Sequence, residues 1–267
     1  MSFVEIDRPS EGVLVLTLNR PERMNAMAFD VMIPLRESLE EISSDNSVRV
    51  VILTGAGKGF CSGADLEDPG MVPNIDGLGL PAIARRSMGL LEDVIRTVRR
   101  MNQPLIAAIN GPAIGGGFCL ALAADLRIVA EPAYFRAAGI NNGLTASELG
   151  LSYLLPRVIG QGRAAEIMLT GRDVSPKEAL DIGMVSELTT AEGLVPAAVA
   201  IADRIKGFSQ SGVEMTKRSL WASLDSSSFE SHMESEGLAQ LFIRLTTKNF
   251  EEAIRARREG RPPKFLD

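Results

Sequence analysis

The chain predicts an α/β fold whose strands run largely parallel, followed by a mostly helical C-terminal part. Three observations carry this. Short apolar runs alternate with amphipathic stretches of helical period through the first part of the chain. Two of those runs pass straight into glycine-bearing turns. After about Gly160 the strand-like runs thin out and helical spacing dominates.

Residues 12–18 (GVLVLTL) read as a buried strand, broken by Asn19-Arg20-Pro21. Asp30 is expected to cap a helix with Met32, Leu35, Leu39 and Ile42 on one face. Pro34 is tolerable there because it lies near the helix start. Residues 48–53 form the next strand. Residues 68–81, rich in Gly and Pro, read as a loop that could cover a pocket. Residues 83–101 form an amphipathic helix through Met88, Leu91, Ile95 and Val98. Residues 104–109 form a strand, followed by a Gly-rich turn and a helix of small residues. Residues 126–130 form another strand. Ser175-Pro176-Lys177-Glu178 is a helix start, with a Ser cap and Pro at the first helical position, and Gly183 suits that helix's end. Helices follow over 194–205, closed by Gly207, and near 212–224, 227–245 and 247–259. The expected division is a core over residues 1–200 and a helical C-terminal region over 201–267.

Composition narrows the function. The net charge is −6 and no basic stripe occurs, which argues against nucleic-acid binding. The Arg255–Arg258 stretch is interleaved with Glu251, Glu252 and Glu259 and reads as a solvated helix face. One histidine, two cysteines and no Cys-x-x-Cys argue against a zinc site or a disulfide framework. No apolar run is long enough for a membrane span, and Met1-Ser2-Phe3-Val4 does not open a signal peptide, so a cytoplasmic protein is expected. Gly55-Ala56-Gly57-Lys58-Gly59 fits neither the P-loop nor the dinucleotide fingerprint and reads as a turn after a strand.

Ser62-Gly63-Ala64-Asp65-Leu66 and Asn110-Gly111-Pro112-Ala113-Ile114-Gly115-Gly116-Gly117 each follow a strand, so each can aim a backbone N–H at one point. Two such donors stabilise a carbonyl oxygen that gains negative charge. Glycines opening a helix also let a ligand approach the main chain. Together with Asn19-Arg20-Pro21 through Asn25-Ala26, Leu169-Thr170-Gly171-Arg172, Gly183-Met184-Val185 and the ending Glu259-Gly260-Arg261-Pro262-Pro263-Lys264-Phe265, these segments resemble the crotonase family, the enoyl-CoA hydratases and isomerases, nearly end to end.

The resemblance implies a spiral of ββα units, with a helical C-terminal part that assembles trimers or dimers of trimers. It implies an acyl-CoA thioester as substrate, in fatty-acid metabolism, with no cofactor beyond the CoA of the substrate and no metal. The thioester carbonyl would sit between the N–H groups of Ala64 and Gly116, bordered by Ser62, Gly63, Asp65, Leu66 and Gly115. Arg23 and the backbone at Ala26 would lie near the nucleotide part of CoA. Lys264, from a neighbouring subunit, would meet a phosphate, or else is an ordinary solvated tail residue. Asp65 is expected to fix its own loop by accepting backbone N–H bonds, and Asp125 to be structural.

Family hydratases use two glutamates. Their positions correspond to Cys119 and Gly139 here, so both carboxylates are absent. Cys119 reads as a small core residue. Glu148, by its acidic-x-Gly spacing in Ser147-Glu148-Leu149-Gly150, resembles a catalytic aspartate of the dienoyl-CoA isomerase branch. A lone carboxylate near an apolar pocket can have a raised pKa and shuttle a proton. Its bland alternative is a helix cap, or a partner of Arg157 or Arg163. The residues therefore favour isomerase-type proton transfer over hydration. An acyl-CoA-binding protein with little or no turnover, and a decarboxylase or thioesterase on the same fold, stay open.

Overall fold

The computed structural model describes residues 3–266; Met1 and Ser2, which open the segment read for a leader, lie outside them. The first half of the chain contains β1 (Val4–Ser10), β2 (Val13–Leu18), α1 (Phe29–Ser43), β3 (Val50–Gly55), α2 (Leu80–Arg100), β4 (Leu105–Ile109), β5 (Ala113–Ile114), α3 (Gly116–Ala123), β6 (Leu126–Ala130) and β7 (Phe135–Arg136). Then come α4 (Leu151–Ile159), α5 (Gln161–Thr170), β8 (Asp173–Val174), α6 (Pro176–Asp181), β9 (Glu187–Thr189), α7 (Leu194–Lys206), α8 (Gln210–Ser223), α9 (Phe229–Thr246) and α10 (Asn249–Glu259).

Six strands form one sheet in the order β1-β2-β3-β4-β6-β9, and β5-β7-β8 form a small second sheet. All pairs from β2 to β9 in the large sheet are parallel. Side-chain alternation explains why these strands read as unbroken apolar runs: both faces are covered. Val13, Val15, Val50, Ile52, Ile106, Ala108 and Ile128 pack under Leu194, Ala198 and Ala202 of α7. Leu14, Leu16, Leu18, Val51, Leu53, Ala107, Ile109 and Val129 face the larger core with Met32, Leu35 and Leu39 of α1 and Phe118 of α3. The α/β core with a helical C-terminal part is thus as expected. Helix α7 runs through residue 200, where the core was expected to end, and its buried face belongs to the sheet.

Some local expectations shift. Strand β1 is an addition: it pairs antiparallel with β2, and its mostly exposed side chains give no strong apolar pattern. Asp30 does not cap α1; the cap position is Ala28, and Asp30 lies in the first turn, where its charge still complements the helix N-terminus. Helix α2 starts at Leu80 with Pro81 in its first turn, which shortens the preceding loop. Ser175 does cap α6, accepting the Glu178 N–H at 3.2 Å, and Gly183 and Gly260 take the left-handed conformation that ends helices. No described helix is long and apolar enough to cross a membrane.

Candidate active site

The two glycine-bearing segments lie side by side, joined through the main chain. Cys61 and Ala113 form a parallel bridge. Around it Cys61 N–H donates to Pro112 O (3.1 Å) and Ile114 N–H to Cys61 O (3.0 Å). Met27 and Ala64 form a second bridge, with Met27 N–H on Gly63 O (2.7 Å) and Asp65 N–H on Met27 O (3.3 Å). Gly63, at φ +82°, is required by this approach, because a Cβ there would lie 2.7 Å from Ile114 O and 3.4 Å from Gly116 N. A Cβ on Gly117 would overlap the Cys61 carbonyl. Among the described residues, neither the Ala64 N–H nor the Gly116 N–H has a protein acceptor. Gly116 opens α3, where unpaired N–H groups are inherent to the helix start. Met27 Sδ and Leu149 Cδ1 cover the α-carbon of Gly116.

Two asparagines that the sequence reading passed over hold the frame. Asn25, fully buried, donates to Ala56 O (2.9 Å) and Gly59 O (2.7 Å) and accepts Arg20 N–H (2.9 Å). Asn110 accepts Gly55 N–H at 3.1 Å and donates to Gly57 O (3.1 Å) and Gly59 O (3.2 Å). The Gly55–Gly59 turn is therefore pinned from both sides, a scaffold rather than a phosphate cradle. Asn before or within Gly/Pro-rich turns was the available signal.

Asp65 fixes the first segment as expected, and more strongly than expected. Its Oδ1 accepts the N–H groups of Glu67 (3.0 Å) and Asp68 (2.9 Å) and Arg23 Nη2 (2.6 Å). Its Oδ2 accepts Arg20 Nη1 (2.9 Å) and Arg23 Nε (3.1 Å). The hydrogen-bonded Arg23 guanidinium, more than anything else, holds this carboxyl well below the usual range. Arg23 also meets Glu67 at 2.5 Å, and Arg20 meets Asp68 at 2.7 Å. Arg23 remains about a third exposed, with Nε, Nη1 and Nη2 all hydrogen-bonded to Asp65 or Glu67. Ser62 Oγ donates to Arg23 O at 3.3 Å. Ala26 is buried and Leu66 is exposed. Lys264 is exposed, and its backbone N–H, not its side chain, is held by buried Glu252 (2.9 Å).

Glu148 comes to the same place. A Cβ on Gly115 would lie 3.2 Å from Glu148 Oε1, so the carboxylate sits over the glycine that precedes the Gly116 N–H. Glu148 is half-buried and has no ion pair with Arg157 or Arg163, and burial raises its pKa. The two hydratase-type positions differ in kind. Cys119 is buried, and its Sγ lies 3.2 Å from Gly115 O and 3.4 Å from Glu148 O. Burial first, and then the charge of Glu148, hold the Cys119 thiol protonated. Burial likewise pushes the Cys61 thiol up to about 12. Gly139 admits no side chain at all, because a Cβ would overlap the Thr145 carbonyl oxygen.

Asp125 is structural, as expected, and placed away from this site. It accepts Leu105 N–H (2.8 Å), Trp221 Nε1 (2.7 Å) and buried Lys217 Nζ (2.8 Å), which ties α8 to the sheet. A broad groove along α8 and α9, between Leu220, Met233 and Phe265, is not lined by Glu148, Ala64 or Gly116. No group of three or more metal-ligating side chains occurs among the described residues.

The family model of enoyl-CoA hydratase/isomerase matches residues 8–267. A protein of Mycobacterium tuberculosis named as a probable enoyl-CoA hydratase is 62% identical over all of this chain and 94% of its own. A crystal structure titled a probable enoyl-CoA hydratase/isomerase, from Mycobacterium abscessus, is 62% identical with a TM-score of 0.96, covering 99% of this chain and 98% of that one. A structure titled a monofunctional enoyl-CoA isomerase, from M. smegmatis, is 55% identical with a TM-score of 0.75, over 87% of this chain and 99% of that one.

Proposed function

The chain belongs to the enoyl-CoA hydratase/isomerase family, and on that premise we propose that it shifts a double bond in an enoyl-CoA ester by proton transfer, with Glu148 as the single base. The observation that carries this reading is the Glu148 carboxylate lying over Gly115, beside the unpaired Gly116 N–H. The Ala64 and Gly116 N–H groups would receive the thioester oxygen. Removing one such donor from a comparable site costs roughly 3–4 kcal/mol of barrier lowering. Glu148 takes a proton from the carbon skeleton, the electron pair moves into the thioester as an enolate, and the same carboxyl returns the proton two carbons away. No atom is gained, so one carboxyl suffices. Hydration would need a second group to handle water, and the closed backbone at Gly139 offers no position for it.

Ser62, Gly63, Asp65, Leu66 and Gly115 would border the thioester. Arg23 and the main chain at Ala26 would approach the CoA nucleotide. Leu220, Phe229, Leu238, Leu241 and Leu245 on α8 and α9 are exposed in the single chain. This exposed apolar face supports assembly into a homotrimer or dimer of trimers, which would bring Lys264 of one copy to a phosphate held by the next. The predicted place of work is the cytoplasm, in fatty-acid metabolism.

A panel of 2-enoyl, 3-enoyl and dienoyl-CoA esters with mass-spectrometric product identification tests the reaction. Equal mass with moved unsaturation is expected; gain of water would refute it. Glu148→Gln should lower kcat by about a hundredfold or more, with CoA-ester binding retained. Unchanged turnover would remove Glu148 as the base.

A further inference from the structure

We propose that Cys119 is a positioning residue: its S–H ties the main chain at Glu148 to the Gly115 turn and so aims the carboxylate. The proposal rests on the reading of Glu148 as the base.

Glu148 is followed by two residues with positive φ, Leu149 at +43° and Gly150 at +86°. Leu151 N–H closes this turn on Glu148 O at 2.8 Å. Glycine adopts such a conformation freely, but leucine is held there against its own sterics. A strained residue persists only where its surroundings over-determine it. Two attachments do so here. The Leu149 side chain is buried beside Gly116. The Cys119 Sγ lies within hydrogen-bond reach of both Gly115 O (3.2 Å) and Glu148 O (3.4 Å). Gly115 is the very residue over which the Glu148 carboxylate sits. The thiol thus links the two pieces of backbone whose separation sets the distance from base to oxyanion donor.

The residue type fits the task. A carboxylate at position 119 would add a second negative charge beside Glu148. An alanine would remove the thiol from both carbonyls. Among the described residues it would leave Glu148 O only the Leu151 N–H and Gly115 O only the residue-119 N–H, with nothing joining the two. A thiol that burial and the nearby charge keep protonated can donate without competing for the substrate proton.

The test compares Cys119→Ala and Cys119→Val, which remove the donor with and without loss of volume, against Cys119→Ser, which keeps a donor to the preceding-turn carbonyl. Glu148→Gln is the reference. On the best 3-enoyl-CoA of the panel, Ala and Val should both lower kcat by about tenfold or more with KM within about twofold, since small misplacements at a reacting centre can cost about a hundredfold. Ser should recover to within about threefold of the parent. Overturning results are Ala or Val with parental kcat, Ser as impaired as Ala, or a proportional rise in KM. If Glu148→Gln is inactive and the Cys119 variants are normal, the positioning role alone fails. If Glu148→Gln retains turnover, or the parent turns over no ester, the base reading fails and this proposal with it.

Discussion

Asp65→Asn isolates the contribution of one buried carboxylate to the segment over residues 62–66. The substitution keeps shape and one acceptor oxygen, but turns the other terminus into a donor that faces guanidinium groups. Asp65 is almost fully buried, as is Arg20. Removing one partner of a buried pair typically costs about 3–5 kcal/mol. Two features lower this: Arg20 keeps Asp68 at 2.7 Å, and partly exposed Arg23 keeps Glu67 and can regain water. We therefore expect a loss of about 2–4 kcal/mol near neutral pH. Urea unfolding at one fixed protein concentration measures it. The pH dependence has a definite sign. The folded-state pKa of Asp65 is depressed, so its stabilisation is fully present above the ordinary Asp value of about 4 and fades as pH falls toward the folded value. The gap between parent and variant should close in acid. Since Asp65 follows the Ala64 donor, kcat should also drop by about tenfold. A loss below about 1 kcal/mol, or a gap that widens in acid, would refute the reasoning.

Three further outcomes follow from the same geometry. Because burial raises the Glu148 pKa and the base must be ionised, the acidic limb of the kcat/KM profile should lie above the ordinary Glu value of about 4.3; a limb at or below it would contradict the placement. The double variant Cys119→Glu with Gly139→Glu should not gain hydration, since a Cβ at 139 overlaps the Thr145 carbonyl; water gain in the mass-spectrometric panel would show that the loop yields. Lys217→Ala leaves Asp125 without its buried cation and should cost about 3 kcal/mol, with faster hydrogen exchange in α8 and α9; unchanged exchange there would show that α8 is anchored otherwise.

Much of this was legible in the chain itself. Strands covered on both faces announce themselves as apolar runs, which is why β2, β4 and β6 lie where the sequence put them. The glycines at 63 and 117 were legible because a Cβ at either would run into the facing main chain, and Gly116 because a Cβ there would meet the Met27 and Leu149 side chains. What stayed hidden depends on partners distant in sequence. The turn position of Asn25 is a local signal, but its partners, Arg20 N–H and Gly59 O, are not written beside it. Cys119 reads as core filler until α3 brings it under Glu148 O. Strand β1 has mostly exposed side chains, so its pairing with β2 leaves little trace in hydropathy. Asp30 has the composition of a cap but not its place, because the pairing of Met27 with Ala64 and the contact of Phe29 N–H with Pro69 O set where α1 begins.

The bridge between Cys61 and Ala113 has a consequence for how such a catalyst can change. The relative placement of the two segments is written in main-chain hydrogen bonds and in glycines that admit no side chain. The proposed base, Glu148, is a side chain on another segment. If Glu148 is the base, one part of the site could be revised while the other is kept, because the turn at 148 and the main-chain bridge are separate segments. On the proposed reading, the thioester would be held by main chain and the proton carried by a side chain, so a change of side chain would alter the reaction before it altered the ligand class.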